Sequence, residues 1–157
     1  MPESQARFGT DLRLLRNLER QKSSRDPGSD LSVTERPETG QVDLETLTGA
    51  DNLVQALMLR FLTPMGEMAQ LGHPDYGSRL VELIGELNNE TNRNRAKLYV
   101  LQALSLEPRV KQVLSVLVTQ DRKRPTLMNI AVSLLAIDSD TPINLVFPFF
   151  LEGGVTT

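Results

Sequence analysis

Apolar residues recur along this chain in two periods, and the change from one to the other falls at Pro108. Upstream, NLVQALMLRFL sets Leu53, Val54, Leu57, Met58 and Phe61 at helical spacing, which predicts a core helix with one broad buried face. Thr48 and Asp51 stand three apart ahead of it in the pattern of a capped start, and Pro64 with Gly66 stops it. A second helix is predicted after Ser78, with Leu80, Leu83, Ile84 and Leu87 on one stripe. A third is predicted after Thr91, burying Ala96, Tyr99, Val100, Ala103 and Leu104.

Beyond Pro108 the period becomes two. Leu114, Val116 and Val118 alternate with Val113, Ser115 and Leu117; QDRKRP then turns the chain. Met128, Ile130, Val132 and Leu134 alternate in the same way, completing a β-hairpin. DSDTP makes the next turn, and Ile143, Leu145, Phe147 and Phe149 supply a third strand. Pro148 has no N–H for a ladder, so this strand belongs at a sheet edge unless the ladder bulges there.

The stretch 21–40, QKSSRDPGSDLSVTERPETG, offers little apolar surface and reads as a linker. Before it, FGTDLRLLRNLER carries Leu12, Leu14, Leu15 and Leu18, which fit a short strand or a short helix equally well and are expected to dock as an arm. The organisation that follows is an arm and flexible linker over 1–42, an α+β domain over 43–152 and a tail over 153–157. In the domain about three helices cover one face of a small, mainly antiparallel sheet.

Composition narrows the chemistry. The 157 residues suit one domain, and 39% hydrophobic with 24% charged residues is ordinary for a globular chain. No apolar run is long enough to cross a bilayer, and MPESQARFGT lacks the basic-then-apolar order of a secretory signal, so synthesis and folding in the cytoplasm are expected. The absence of cysteine removes disulfides, thiol nucleophiles and cysteine metal sites. His73 is the single histidine, which argues for a loop hydrogen-bonding role and against a metal or a histidine triad, so no cofactor is expected. A net charge of −3 gives no long-range attraction for nucleic acid or anionic lipid. The basic clusters Arg93, Arg95, Lys97 and Arg122, Lys123, Arg124 lack interleaved aromatics and read as solvated surface.

One joint stands out. Leu106-Glu107-Pro108-Arg109-Val110 ends the helical pattern and starts the strand pattern, with an acid, a proline and a base between them. Proline disfavours helical geometry before it, so the helix closes at or before Leu106, and Glu107 lies by the negative end of the helix dipole. A cation is needed there, and Arg109 can hold the carboxylate with its fork. In the simplest reading the proline ends the helix and the two charges pair in water, contributing about 0–1 kcal/mol. A pair desolvated against a partner is different: losing one member costs about 2–5 kcal/mol.

TPMGEMAQLGHPDYGSRL, the helix leading into Leu-Glu-Pro-Arg-Val, the strand pair and the closing NLVFPFFLE together resemble the baseplate wedge and sheath-initiator family of contractile tails. That family occurs in phage tails, extracellular injection systems and type VI secretion baseplates. The resemblance spans about 43–152 and rests on the order and spacing of Thr63-Pro64-x-Gly66, Tyr76-Gly77, Glu107-Pro108-Arg109 and Phe147-Pro148-Phe149. It implies that Glu107, Pro108 and Arg109 face a baseplate wedge protein. It further implies that the strands take up extensions of the first sheath ring through Val116, Val118, Met128, Ile130, Val132, Leu145, Phe147 and Phe149. Tyr76, Gly77 and Arg79 are a further candidate contact, against the alternative that Tyr76 and Gly77 shape the entry to the second helix and Arg79 is a solvated first-turn residue. The implied setting is a sixfold ring of copies around a tube, with an inner tube or hub protein as another partner.

Two other classes compete. The family has carried a lysozyme-like label, and a glycosidase needs two carboxylates roughly 5–10 Å apart across a cleft. Glu107 with Asp75 or Glu82 are the nominees. The chain, however, has no Trp and two Tyr to stack sugars, and Arg109 lowers the Glu107 pKa where a general acid needs it raised. No catalytic residue is therefore expected. The other class is an adaptor that binds extended peptides along an open sheet edge, outside any tail particle.

Overall fold

The computed structural model describes residues 8–14 and 33–152. Leu15, Leu18, most of the expected linker and the 153–157 tail lie outside the described residues. By its internal packing the chain divides into two units, Met1–Gln55 and Ala56–Thr157.

In the first unit, strand β1 (Thr10–Leu12) pairs antiparallel with β4 (Thr46–Thr48), and β2 (Val33–Glu35) pairs antiparallel with β3 (Val42–Leu44). Part of the stretch expected to be linker is therefore a hairpin. Its turn closes through hydrogen bonds from Arg36 N to Gln41 O and from Gly40 N to Arg36 O, and Arg36 forms an ion pair with Asp43. Helix α1 (Gly49–Leu62) begins here. Two amides on its first turns hold the N-terminal strand segment: Asn52 Nδ2 donates to Phe8 O at 2.7 Å, and Gln55 donates to Leu12 O and accepts from Leu14 N at 2.7 and 2.8 Å. Those bonds satisfy backbone groups that a three-residue strand leaves over.

The second unit is α+β. Helix α2 (Glu90–Ser105) leads into a three-stranded antiparallel sheet ordered β5 (Val110–Gln120), β6 (Leu127–Ala136), β7 (Ile143–Phe150). Its register brings Val116 to Val132, Val132 to Leu145, and Ile130 to Phe147, so one face is a continuous apolar surface. Phe147 stacks on Phe61 of α1, ring centroids 5.1 Å apart. β7 takes an edge, the position its Pro148 requires. The opposite face carries a cross-strand row, Leu117–Ala131–Val146, whose two outer members are exposed.

Two α-helices are present among the described residues, where three were expected. The stripe Leu80, Leu83, Ile84, Leu87 forms only a 3-10 turn over Leu80–Leu83, burying Leu80 and Leu83 and leaving Ile84 and Leu87 exposed. Gly85 ends it. Its φ is +90°, and its N–H, which an α-helix would direct to Val81 O, goes to Leu151 O at 2.6 Å. The cap of α2 is also shifted: Asn89, not Thr91, accepts from Asn92 N at 2.8 Å. Ser78, expected to cap the missing helix, donates to Phe61 O at 2.6 Å and accepts weakly from Leu80 N.

Gly77 lies where two segments meet. Ser78 N donates to Thr63 O at 2.9 Å and Met65 N to Ser78 O at 3.0 Å, bridging the end of α1 to the 73–78 loop. With φ +109°, a Cβ at Gly77 would stand 2.5 Å from Thr63 O and 2.8 Å from Pro64 O. Gly77→Ala is expected to destabilise the fold by about 1–3 kcal/mol or more, measured by urea unfolding; an unchanged midpoint would refute this account of the bridge.

Candidate functional site

The joint after α2 is a built cluster. Helix α2 ends at Ser105, and Leu106 N and Glu107 N return to Ala103 O and Leu104 O. Val110 N then donates to Glu107 O at 3.1 Å, closing a β-turn with Pro108 at its second position, where the ring's fixed φ fits. This turn folds Arg109 back onto Glu107. Arg109 Nε donates to Oε1 at 2.7 Å, its Nη2 to Oε2 at 3.3 Å and its backbone N to Oε1 at 3.3 Å.

Sequence reasoning missed the fourth donor. Arg60, on the last turn of α1, gives Nη2 to Glu107 Oε2 at 3.2 Å, and its guanidinium lies 4.5 Å from the centre of the Tyr76 ring. Arg60 and Glu107 are 8% and 5% exposed, whereas the Arg109 side chain is 29% exposed. The pair is therefore not the solvated one that the simplest reading supposed. Burial pushes the Glu107 carboxyl up; the hydrogen bond and charge of Arg109, its backbone N–H and the charge of Arg60 outweigh this and hold it below the usual carboxylate range. The available signal was that Arg60 is the one charge within NLVQALMLRFL.

Beside this carboxylate opens a cleft of about 530 Å³ lined by Leu59, Arg60, Thr63, Met68, His73, Tyr76 and the Glu107–Arg109 turn. A smaller depression of about 310 Å³ adjoins it at Arg60, His73 and Tyr76 and takes in Asp75. Tyr76 thus joins the Glu107 cluster, and His73, assigned only a loop role, is part of its wall.

The other candidates fall elsewhere. Arg79 forms a fork with Glu82 at 2.8 and 2.9 Å and lies 4.7 Å from the Tyr99 ring centre; Tyr99 also donates to Glu82. Hydrogen bonding to Arg79 holds Glu82 below its ordinary value and raises Arg79. Gly77 serves the bridge described above. Of the strand residues, Met128, Ile130 and Val132 sit on β6, whose two sides are already paired, and their side chains are buried. An added strand cannot reach them, which corrects the expectation that this strand is part of an open template. Val116, Leu145, Phe147 and Phe149 also point into the core, and Val118 is half-buried. Among the described residues, β5 and β7 each pair with one strand, β6.

Among the described residues no group of three or more His, Cys, Asp or Glu is arranged to hold a metal ion, and no helix is long and apolar enough to cross a membrane. Arg93 donates to Asn88 and Arg95 to Asn92 and Tyr99, so two members of the first basic cluster are engaged within the chain.

No family model matches this chain, and no curated protein matches it. Its fold is similar to the crystal structure of a Geobacter sulfurreducens protein that carries the provisional name tail lysozyme. The two share a TM-score of 0.57 and 24% identity, over 67% of this chain and 93% of that one.

Glu107→Gln removes the counter-charge of a buried arginine and is expected to destabilise the protein by about 3–5 kcal/mol at neutral pH. The folded Glu107 pKa is depressed, so its contribution is full above the unfolded carboxylate pKa and is lost as pH falls through the folded one. Urea unfolding across acid pH should show the difference from wild type shrinking in that window; a pH-independent difference would contradict the ion-pair account.

Proposed function

We propose that this chain is a non-catalytic structural component of the baseplate of a contractile phage tail or injection particle. In this reading it joins the baseplate wedge to the first sheath ring, and sheath extensions add as strands to its sheet. The observation that carries the reading is the sheet, in which a fully paired central strand is flanked by two strands that, among the described residues, each pair with that strand alone. An open edge is a ready template for an incoming strand.

The two edges differ in quality. β5 has register shifts between Val110 and Gln112 and between Val113 and Ser115, then runs regularly from Ser115 to Gln120. β7 carries Pro148, which lacks one donor. The regular half of β5 is the better site for strand addition, and a ring of copies would strengthen each weak pairing through effective concentration.

The Glu-Pro-Arg turn is proposed as the wedge contact. Its half-exposed Arg109 and the adjoining cleft supply a surface, while the buried Glu107–Arg60 pair ties that surface to α1. The fold likeness to a protein named for a tail supports the setting. The enzymatic part of that protein's name is not carried over. A general acid must hold a proton near neutral pH, and Glu107 is held below the usual range with four donors on it. A peptide-binding adaptor outside any particle is the second reading, favoured by the same cleft and edges.

Affinity purification and electron microscopy of sheathed particles from cells expressing the protein test this. Wild type is expected at the base of the tube; Arg109→Ala, its fold checked by circular dichroism, is expected to be depleted there. Absence of the wild-type protein from every tail-like particle would overturn the baseplate reading, and normal incorporation of folded Arg109→Ala would overturn the role of the turn.

A further inference from the structure

The Glu107 carboxylate has no acceptor capacity left. An ionised carboxylate offers about four lone-pair sites, and Glu107 uses Oε1 for Arg109 N and Nε, and Oε2 for Arg60 Nη2 and Arg109 Nη2. The guanidinium groups beside it are not exhausted. Each has about five N–H donors; among the described residues Arg60 directs one of them to an acceptor, and its Nε is buried without any. Arg109 directs two side-chain donors, both to Glu107. Two guanidinium groups face one carboxylate, and the cluster carries an excess positive charge. Asp75 belongs to the adjoining depression, is exposed, and makes no hydrogen bond to either arginine.

The walls around these donors are apolar. Leu59, Met68 and Pro108, with the Tyr76 ring that Arg60 lies against, enclose a volume suited to side chains, larger than a bare anion needs. Excess donors in an apolar cleft select an acceptor attached to an apolar body.

We infer that the cleft receives an acidic-apolar segment of a partner protein, one carboxylate meeting the unused N–H groups of Arg60 and Arg109 and a neighbouring aliphatic or aromatic side chain packing on Leu59, Met68 and Pro108. The inference rests on the reading of the turn as a protein contact and adds the chemistry of what is contacted. Arginine suits the task, since its planar fork matches a carboxylate and is more weakly hydrated than an ammonium. Basic segments fit less well, because Glu107, the carboxylate that lines this cleft among the described residues, already accepts four hydrogen bonds.

Short random peptides displayed on phage, selected at neutral pH against the immobilised full-length chain, test this directly. The expected consensus places Asp or Glu beside Leu, Ile or Phe, with binding that weakens as salt rises. Arg109→Ala should weaken the selected peptides by about tenfold or more. Met68→Glu, which leaves every Glu107 bond in place and puts a competing carboxylate on the wall, should do the same, and Arg122→Ala on the β5–β6 turn should change nothing. A consensus without an acid, equal binding to folded Met68→Glu, displacement by millimolar acetate alone, or no enriched peptide would each overturn the inference. The selection requires no tail particle. An acidic consensus from a chain absent from particles removes the baseplate reading alone, and an acid-free consensus from a chain present in them removes this inference alone.

Discussion

A carboxylate that is almost wholly buried sets the terms for this fold. Left alone, Glu107 would be expensive in its charged form; the structure meets that cost by bringing donors from separate parts of the chain to its two oxygens. Arg109 arrives because Pro108 turns the backbone, and Arg60 because α1 ends beside the joint. One acid therefore fixes where α2 stops, where β5 starts and how the last turn of α1 meets both. The strand that follows starts from that point, shifts register twice, and pairs regularly with β6 only from Ser115 onward.

The sheet was legible in the sequence because its information is local. Alternation over many residues, turn-rich intervals and one proline in the last strand determine three strands and their order. Helix α2 was equally plain, although Asn89 outcompeted Thr91 for its cap. The stripe from Leu80 to Leu87 failed for a nonlocal reason: Gly85 gives its N–H to Leu151, a residue at the end of the last strand, and no periodicity within the stripe encodes that. The β2–β3 hairpin failed for the opposite reason. Its composition resembles a linker, and its short ladder depends on the glycine turn at Gly40 and the Arg36–Asp43 pair.

The site was half legible. Glu107 and Arg109 are neighbours and announce each other, and the depressed pKa expected from their proximity has the correct direction. Arg60 stands 47 positions earlier, on a helix read for its apolar face alone, and nothing local to either residue links the two. Its inclusion changes the chemistry from a neutral pair to a cationic cluster. His73 and Tyr76 join for the same reason, since the bridge from Thr63 and Met65 to Ser78 folds their loop back beside α1. A similar displacement governs the strand residues: alternation identified the buried face correctly, yet buried side chains are those least available to a partner.

Pro148 also bears on how two copies of this sheet could meet. A three-stranded sheet with two clean edges would invite its own copies to line up, β5 of one against β7 of the next, and such head-to-tail pairing has no natural end. The proline denies β7 one donor and spoils the match. A copy's β5 would therefore find a poorer match along β7 than the regular Ser115–Gln120 ladder could otherwise give it.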